Sequence, residues 1–159
     1  MKKTIESIHH KFCLSGLDIC QPFCVQDYNF TQLKKDWLPT FDRESTTGIL
    51  IGNSRGLWNH FLGYLLENQR NIESDNPLDD YIKQTVSSVS SDSASEFKVR
   101  IESRYSTGMG CEFVNMVKLA KVSGLAYDNP TAHISIHPVF GPWFALPVLS
   151  LDWRWPSRR

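Results

Sequence analysis

His133-Ile-Ser-Ile-His137-Pro-Val-Phe-Gly-Pro-Trp-Phe-Ala145 carries two imidazoles, three aromatic rings, two prolines and a glycine in one short run. Residues 131–137 alternate as a strand does, which puts His133 and His137 on one face and Ile134 and Ile136 on the other. Pro138 lacks the N–H that a ladder needs and Gly141-Pro142 makes a turn, so a second strand is predicted from Trp143 through Phe144 to Leu146. The reading is a β-hairpin whose mouth is lined by Phe140, Trp143 and Phe144. A wide apolar mouth with few polar atoms suits a large, flat, partly apolar ligand better than a small ion.

Working outward from this hairpin, Tyr127-Asp-Asn-Pro130 reads as the turn that leads into it, and Gly124 as the end of a helix carrying Phe113, Val114, Val117, Leu119 and Ala120. Before that helix lies Thr107-Gly-Met-Gly110, and before the glycines Phe97, Val99 and Ile101 alternate with charged residues as a half-exposed strand does. Asn76-Pro77 is a helix start, with Leu78, Ile82, Val86 and Val89 at helical spacing behind it. The serine-rich stretch 87–95 reads as a solvated loop. Thr46-Thr-Gly-Ile-Leu-Ile-Gly52 is an apolar run between glycines and is predicted as a buried strand. Asn53 and Ser54 are N-cap candidates for a helix to about Arg70, one side of which is filled by Leu57, Trp58, Phe61, Leu62, Leu65 and Leu66. Nearer the amino terminus a helix over 2–14 stops at Ser15-Gly16, an edge or kinked strand contains Pro22, and a short helix spans Tyr28 to Leu38. This order of elements predicts an α+β fold, an antiparallel sheet with packed helices.

The whole-chain numbers restrict function. A length of 159 residues is that of one domain with a core of its own, so 1–159 is read as a single domain. Lys plus Arg equals Asp plus Glu at 17 each, and the pI is near 6.9, so no global field draws nucleic acid or an anionic membrane. No apolar run is long enough to span a bilayer and no signal core follows the first residues, so a soluble, cytoplasmic chain is expected. Cys13, Cys20, Cys24 and Cys111 lack C-x-x-C spacing and read as buried reduced thiols.

Several chemistries are disfavoured by spacing. Histidines four apart on a strand are separated by about 13 Å, too far to share one metal ion, so His133 and His137 read as packed or hydrogen-bonded side chains. The Thr107–Gly110 loop resembles a phosphate cradle but lacks the third glycine and the Gly-Lys-Ser/Thr ending, which leaves a plain turn. No G-x-S-x-G elbow or comparable cysteine motif is present. No catalytic residue is assigned.

Ile136-His-Pro-Val-Phe-Gly-Pro-Trp-Phe-Ala-Leu146 resembles the Ile-His-Pro-x-Phe-Gly-x-Trp-Phe-Ala-Ile segment of the cobalamin-processing family typified by the animal methylmalonic aciduria and homocystinuria type C protein. Gln21-Pro-Phe-Cys-Val-Gln-Asp-Tyr-Asn29, Gly48-Ile-Leu-Ile51, Asn76-Pro-Leu-Asp79 and Ala120-Lys-Val-Ser-Gly-Leu-Ala-Tyr127 resemble further segments of that family more weakly. The resemblance implies a flavin-nitroreductase-like α+β fold. It also implies a protein that binds cobalamin with its benzimidazole tail off the cobalt and removes the upper axial ligand. Cyanocobalamin is then decyanated with electrons from reduced flavin (FMN or FAD, reduced by NADPH), and alkylcobalamins are dealkylated by glutathione. The expected activity is that of a cyanocobalamin reductase (cyanide-eliminating).

The residues implied as cobalamin-binding are His137, Pro138, Phe140, Gly141, Trp143 and Phe144, with Lys121, Gly124 and Tyr127 as neighbours and Trp155 and Arg158 from the carboxyl-terminal tail. Neither His133 nor His137 is expected to ligate cobalt, because the D-x-H-x-x-G signature is absent. Pro147 stands where the family has a basic residue implicated in glutathione binding, and Lys121 where it has a histidine, so decyanation is expected rather than dealkylation. Further partners are a flavin reductase or a downstream cobalamin acceptor protein, with no nucleic acid and no membrane, and a homodimer is left open. Rival readings are a cobalamin carrier without catalysis and a flavin-dependent reductase of small organic molecules.

Overall fold

Ile5, Ile8 and Phe12 lie on one face of α1 (Lys2–Cys13) and turn it onto the sheet, with Ile8 and Phe12 fully buried. The chain is seen here in a computed structural model that describes residues 2–68 and 74–151. After α1 come β1 (Ile19–Cys24), α2 (Val25–Phe30), a 3-10 turn at Lys34–Asp36, β2 (Thr47–Gly52), α3 (Leu57–Glu67) and α4 (Pro77–Phe97). β3 (Ile101–Arg104), a 3-10 turn at Gly110–Glu112, α5 (Met116–Val122), β4 (Tyr127–Asn129), β5 (Ile134–Ile136) and β6 (Val148–Leu151) follow.

Four strands form an antiparallel sheet in the order β1-β2-β6-β3, and β4 pairs with β5 in a separate ribbon. β1 is an edge strand, as Pro22 requires, and Pro22 sits opposite Ile49. Every residue of β2 is buried because the sheet is covered on both faces. Ile49 and Ile51 pack with Ile8, Phe12, Leu57, Phe61 and Tyr81 from α1, α3 and α4. Leu50, pointing the other way, packs with Phe23, Tyr28, Val114, Leu119 and Ala120, and onto this second layer the side chains of Phe140, Phe144 and Leu146 are folded. The α+β class and the antiparallel sheet with packed helices are as expected from sequence.

Several local expectations are corrected. The serine-rich stretch is helix: α4 runs unbroken to Phe97, with Ser90 and Ser93 buried, and Lys98 ends it in the left-handed region at φ 53°. The strand predicted from Phe97 therefore begins only at Ile101. The helix predicted over Tyr28–Leu38 is shifted to Val25–Phe30, with a 3-10 turn at Lys34–Asp36. α5 starts at Met116 behind an Asn115 cap whose side chain accepts from Lys118 N, so the Thr107–Gly110 loop does not lead directly into it. Asn53 and Ser54 do not cap α3; Gly56 does, without a side-chain bond. Trp58, Leu62 and Leu66 of α3 face solvent while Leu57 and Phe61 are buried.

The hairpin is not formed as predicted. β5 covers only Ile134–Ile136 and pairs back with β4, so residues 131–133 form a turn and His133 has φ 53°. Trp143–Leu146 is not a strand, and Val148–Leu151 enters the centre of the main sheet between β2 and β3. His133 and His137 accordingly do not share one strand face. Cys13, Cys20 and Cys24 are free and half-buried.

Candidate ligand-binding site

β2 delivers the chain to a junction. Immediately after Gly52, Asn53 N donates to the Ala145 carbonyl (3.0 Å) and Ala145 N donates to the Asn53 carbonyl (3.1 Å), which fastens the His137–Pro147 segment to the end of the central strand. Upstream of this fastening the segment closes on itself: His137 N donates to Gly141 O (2.8 Å) and Gly141 N to His137 O (2.9 Å). Gly141 sits at φ 60°, a value this turn needs and a side chain would oppose.

Inside the turn, His137 Nδ1 accepts from Val139 N (3.1 Å) and Phe140 N (3.3 Å), which requires the tautomer protonated at Nε2. Its ring stacks on Phe140 at 4.8 Å and 29° and meets Phe144 at 5.6 Å and 59°. His137 is thus the hub that shapes the loop. Phe140 and Phe144 are held down on the core, while Val139 and Trp143 are 76% and 80% exposed.

Three clefts surround the segment. The first, of about 590 Å³, is lined by Ser54, Arg55, Val139, Phe140 and Trp143. The second, of about 440 Å³, lies between Met116, Val117, His133, Ile134, Pro142 and Phe144. The third, of about 160 Å³, touches Asn53, Asp79, Lys83, Tyr105 and Pro147. Burial raises the Tyr105 phenol above its usual range, and the Asn53 Oδ1 atom is buried without a hydrogen-bond partner among the described residues.

Ser54, on the wall of the first cleft, is held by Asp18, whose two carboxylate oxygens accept from Ser54 N (2.7 Å) and Ser54 Oγ (2.5 Å). Ser54 is thereby committed, and its Oγ also accepts from Gly56 N (3.3 Å). The side chain of Arg55, exposed on the cleft wall, has no hydrogen-bond or ion-pair partner among the described residues.

The structure therefore gathers Phe140, Gly141, Trp143 and Phe144 around His137 and the exposed Pro138. Tyr127 opens β4 opposite Ile136, so it lies beside the start of the segment, and it is 64% exposed. Lys121, exposed in the last turn of α5, and Gly124 beyond that helix line none of the three clefts. Trp155 and Arg158 lie outside the described residues, and β6, which precedes them, ends at Leu151 beside Thr47, the end of β2 remote from Asn53. Among the described residues no group of three or more His, Cys, Asp or Glu side chains is placed to hold a metal ion, and no helix is long and apolar enough to cross a membrane.

Sequence reading missed Asp18 and Arg55. The signal for them was the polar Asn53-Ser54-Arg55 turn directly behind a wholly apolar strand, a place where side chains of a loop meet the end of a sheet.

By sequence, the chain matches no protein-family model and no curated protein. By structure, it superimposes on a solved C. elegans B12-trafficking protein, CblC, described as a human MMACHC homologue, with a TM-score of 0.79 and 16% identity over 99% of this chain and 74% of that one. The fold of this chain is that of the B12-trafficking protein CblC, the same group of proteins that the Ile136–Leu146 segment resembles.

Proposed function

We propose that this chain binds cobalamin with its nucleotide tail detached and removes its upper axial ligand by reductive decyanation, with electrons from reduced flavin. One observation carries the reading. Trp143 and Val139 stand out of a loop whose other rings are packed down, over the largest of the described clefts, on a fold shared with a protein that traffics B12. A corrin offers a broad apolar face rimmed by amides, and an exposed indole beside backbone carbonyls and hydroxyls is complementary to both.

The residues do the work of binding and orientation. Phe140 and Phe144, pinned by His137, fix the height of the loop; Trp143 supplies the free wall; the Asn53–Ala145 bridge prevents the loop from lifting off the sheet. Bound flavin would supply the electrons. Pro147, where the resembled family has a basic residue, brings no charge of its own to the third cleft, and on that ground decyanation is proposed rather than a thiolate-driven dealkylation, although Lys83 also lines that cleft.

Titrating cyanocobalamin with the protein tests the reading. The spectrum should move to the base-off form, and an unchanged spectrum at saturating protein would remove the proposal. The printed description of CblC as a trafficking protein favours a second reading, a carrier that binds cobalamin and hands it on. Anaerobic NADPH, a flavin reductase and FMN separate the two: an enzyme accelerates loss of cyanocobalamin over the protein-free control, and a carrier does not.

A further inference from the structure

We propose that Arg55 binds the phosphate ester of a ligand whose ring system lies against Trp143. The inference rests on the reading above and names the part of the ligand that the first cleft recognises.

Overall charge is balanced, so anion binding here needs a local cause. Arg55 is that cause. Its guanidinium is always charged and offers planar, forked donors that match phosphate oxygens two at a time. The Asp18 carboxylate that anchors this turn accepts from Ser54 with both oxygens, at 2.7 and 2.5 Å, and forms no ion pair with Arg55. No other described residue pairs with the guanidinium. Phe140 and the 80% exposed indole of Trp143 line the same cleft.

A cleft of about 590 Å³ lined by both an unpaired arginine and aromatic rings suits a ring system with an attached anion. The Arg55 backbone is held in place. Arg55 follows the Ser54 locked by Asp18, and Trp58 N donates to Arg55 O (3.3 Å), so the residue is clamped at the start of α3. Two ligands of the proposed reaction bear the required chemistry: cobalamin has a phosphodiester in its nucleotide tail, and FMN has a terminal phosphate. Neither has a carboxylate to compete for this role.

Four titrations on wild-type protein and on Arg55→Gln separate the sources: cyanocobalamin against dicyanocobinamide, which lacks the nucleotide and its phosphate, and FMN against riboflavin. Arg55→Gln should weaken the phosphate-bearing member of one pair about 10-fold, in line with a charge-assisted hydrogen bond at a partly exposed site, and leave its phosphate-free counterpart unchanged. Arg55→Lys should restore part of the loss, since it keeps a point charge without the fork. Loss confined to cobalamin identifies the tail phosphodiester; loss confined to FMN identifies the flavin phosphate. Equal loss for both members of each pair, or no loss while wild-type binding is intact, overturns the inference and leaves the cobalamin reading standing. Wild-type protein that binds none of the four ligands removes that reading, and the inference with it. A thermal melt of each variant checks folding, which an exposed residue should not disturb.

Discussion

β2 and the His137–Pro147 segment meet at one reciprocal pair of hydrogen bonds, Asn53 to Ala145, and use apolar residues in opposite ways. All six residues of β2 are buried, with a hydrogen-bonded strand on each side and a packed layer on each face. The segment is fastened at one backbone bridge and closed on itself at another, tucks Phe140, Phe144 and Leu146 against the core, and leaves Val139 and Trp143 in water. Burial of an indole ranks among the larger hydrophobic gains available to a fold. A segment that forgoes it beside a cleft is arranged for something other than its own stability.

The difference can be broken from the scaffold side. Leu50→Ala empties a fully buried site between β1, α5 and the segment, and should cost about 2–5 kcal/mol in urea denaturation. A loss below about 1 kcal/mol would show that β2 is not the pivot described here. Gly48→Ala tests the same strand by overfilling it, because a Cβ at that position runs into the Phe23 ring; about 1–3 kcal/mol should be lost.

Next in size is the hinge between the two regions. Asp18→Asn keeps one acceptor for Ser54 but loses the charge, and should cost about 1.5–3 kcal/mol. Ligand affinity should fall with it, since the same turn carries the Asn53 bridge and Arg55. Unaltered affinity in a destabilised Asp18→Asn variant would separate the hinge from the site.

Alkaline pH loosens the scaffold for a different reason. Burial first, and the neighbouring Cys13 second, push the Cys20 thiol up to about 12, from 9.0 in an open chain. The unfolded chain therefore loses this proton at lower pH than the folded one, so the contribution is complete below pH 9 and is lost as pH rises toward 12. Tyr28, Tyr81 and Tyr105, all raised by burial, act in the same direction. Denaturation midpoints should fall steadily above about pH 9, and Cys20→Ala should shallow that slope; a flat profile to pH 11 would contradict the burial of these groups.

What could be read in the sequence follows from the same contrast. β2 was legible because burial on both faces makes a strand an unbroken apolar run, and Gly48-Ile-Leu-Ile-Gly52 is one. The serines of α4 misled because serine usually marks solvated chain. Here Ser90 faces β3, its Oγ 3.4 Å from that of Ser103, and small side chains let helix and strand approach. The hairpin failed through one side chain: Asn129 Oδ1 accepts from Thr131 N and Ala132 N, both at 3.0 Å, and curls residues 130–133 out of any strand. β6 was invisible because its partners, Thr47–Leu50 and Ile101–Arg104, are distant in the chain, and a four-residue strand has no period long enough to announce itself. Rare rings made the aromatic half of the site readable. Its charged half, Arg55, acquires meaning only when folding brings it into the same cleft as Trp143.

The smallest expected change in stability is the most informative about function. Phe144→Ala removes a ring that packs on the core and supports His137, so about 1.5–3 kcal/mol should be lost. Trp143→Ala removes a ring of similar size one position away in the chain, yet with 80% of its surface already in water the loss should stay within about 0.5 kcal/mol. Were Trp143 a core plug, the cost would be about 3–5 kcal/mol. Binding should reverse the order, because in Trp143→Ala the cleft loses its free wall while the loop keeps its shape. Cyanocobalamin affinity is expected to drop at least about 10-fold for Trp143→Ala at nearly unchanged stability, consistent with the weight of buried aromatic anchors in binding. A variant that binds as wild type would mean that the exposed indole serves neither folding nor ligand, and the contrast with β2 would lose its functional sense.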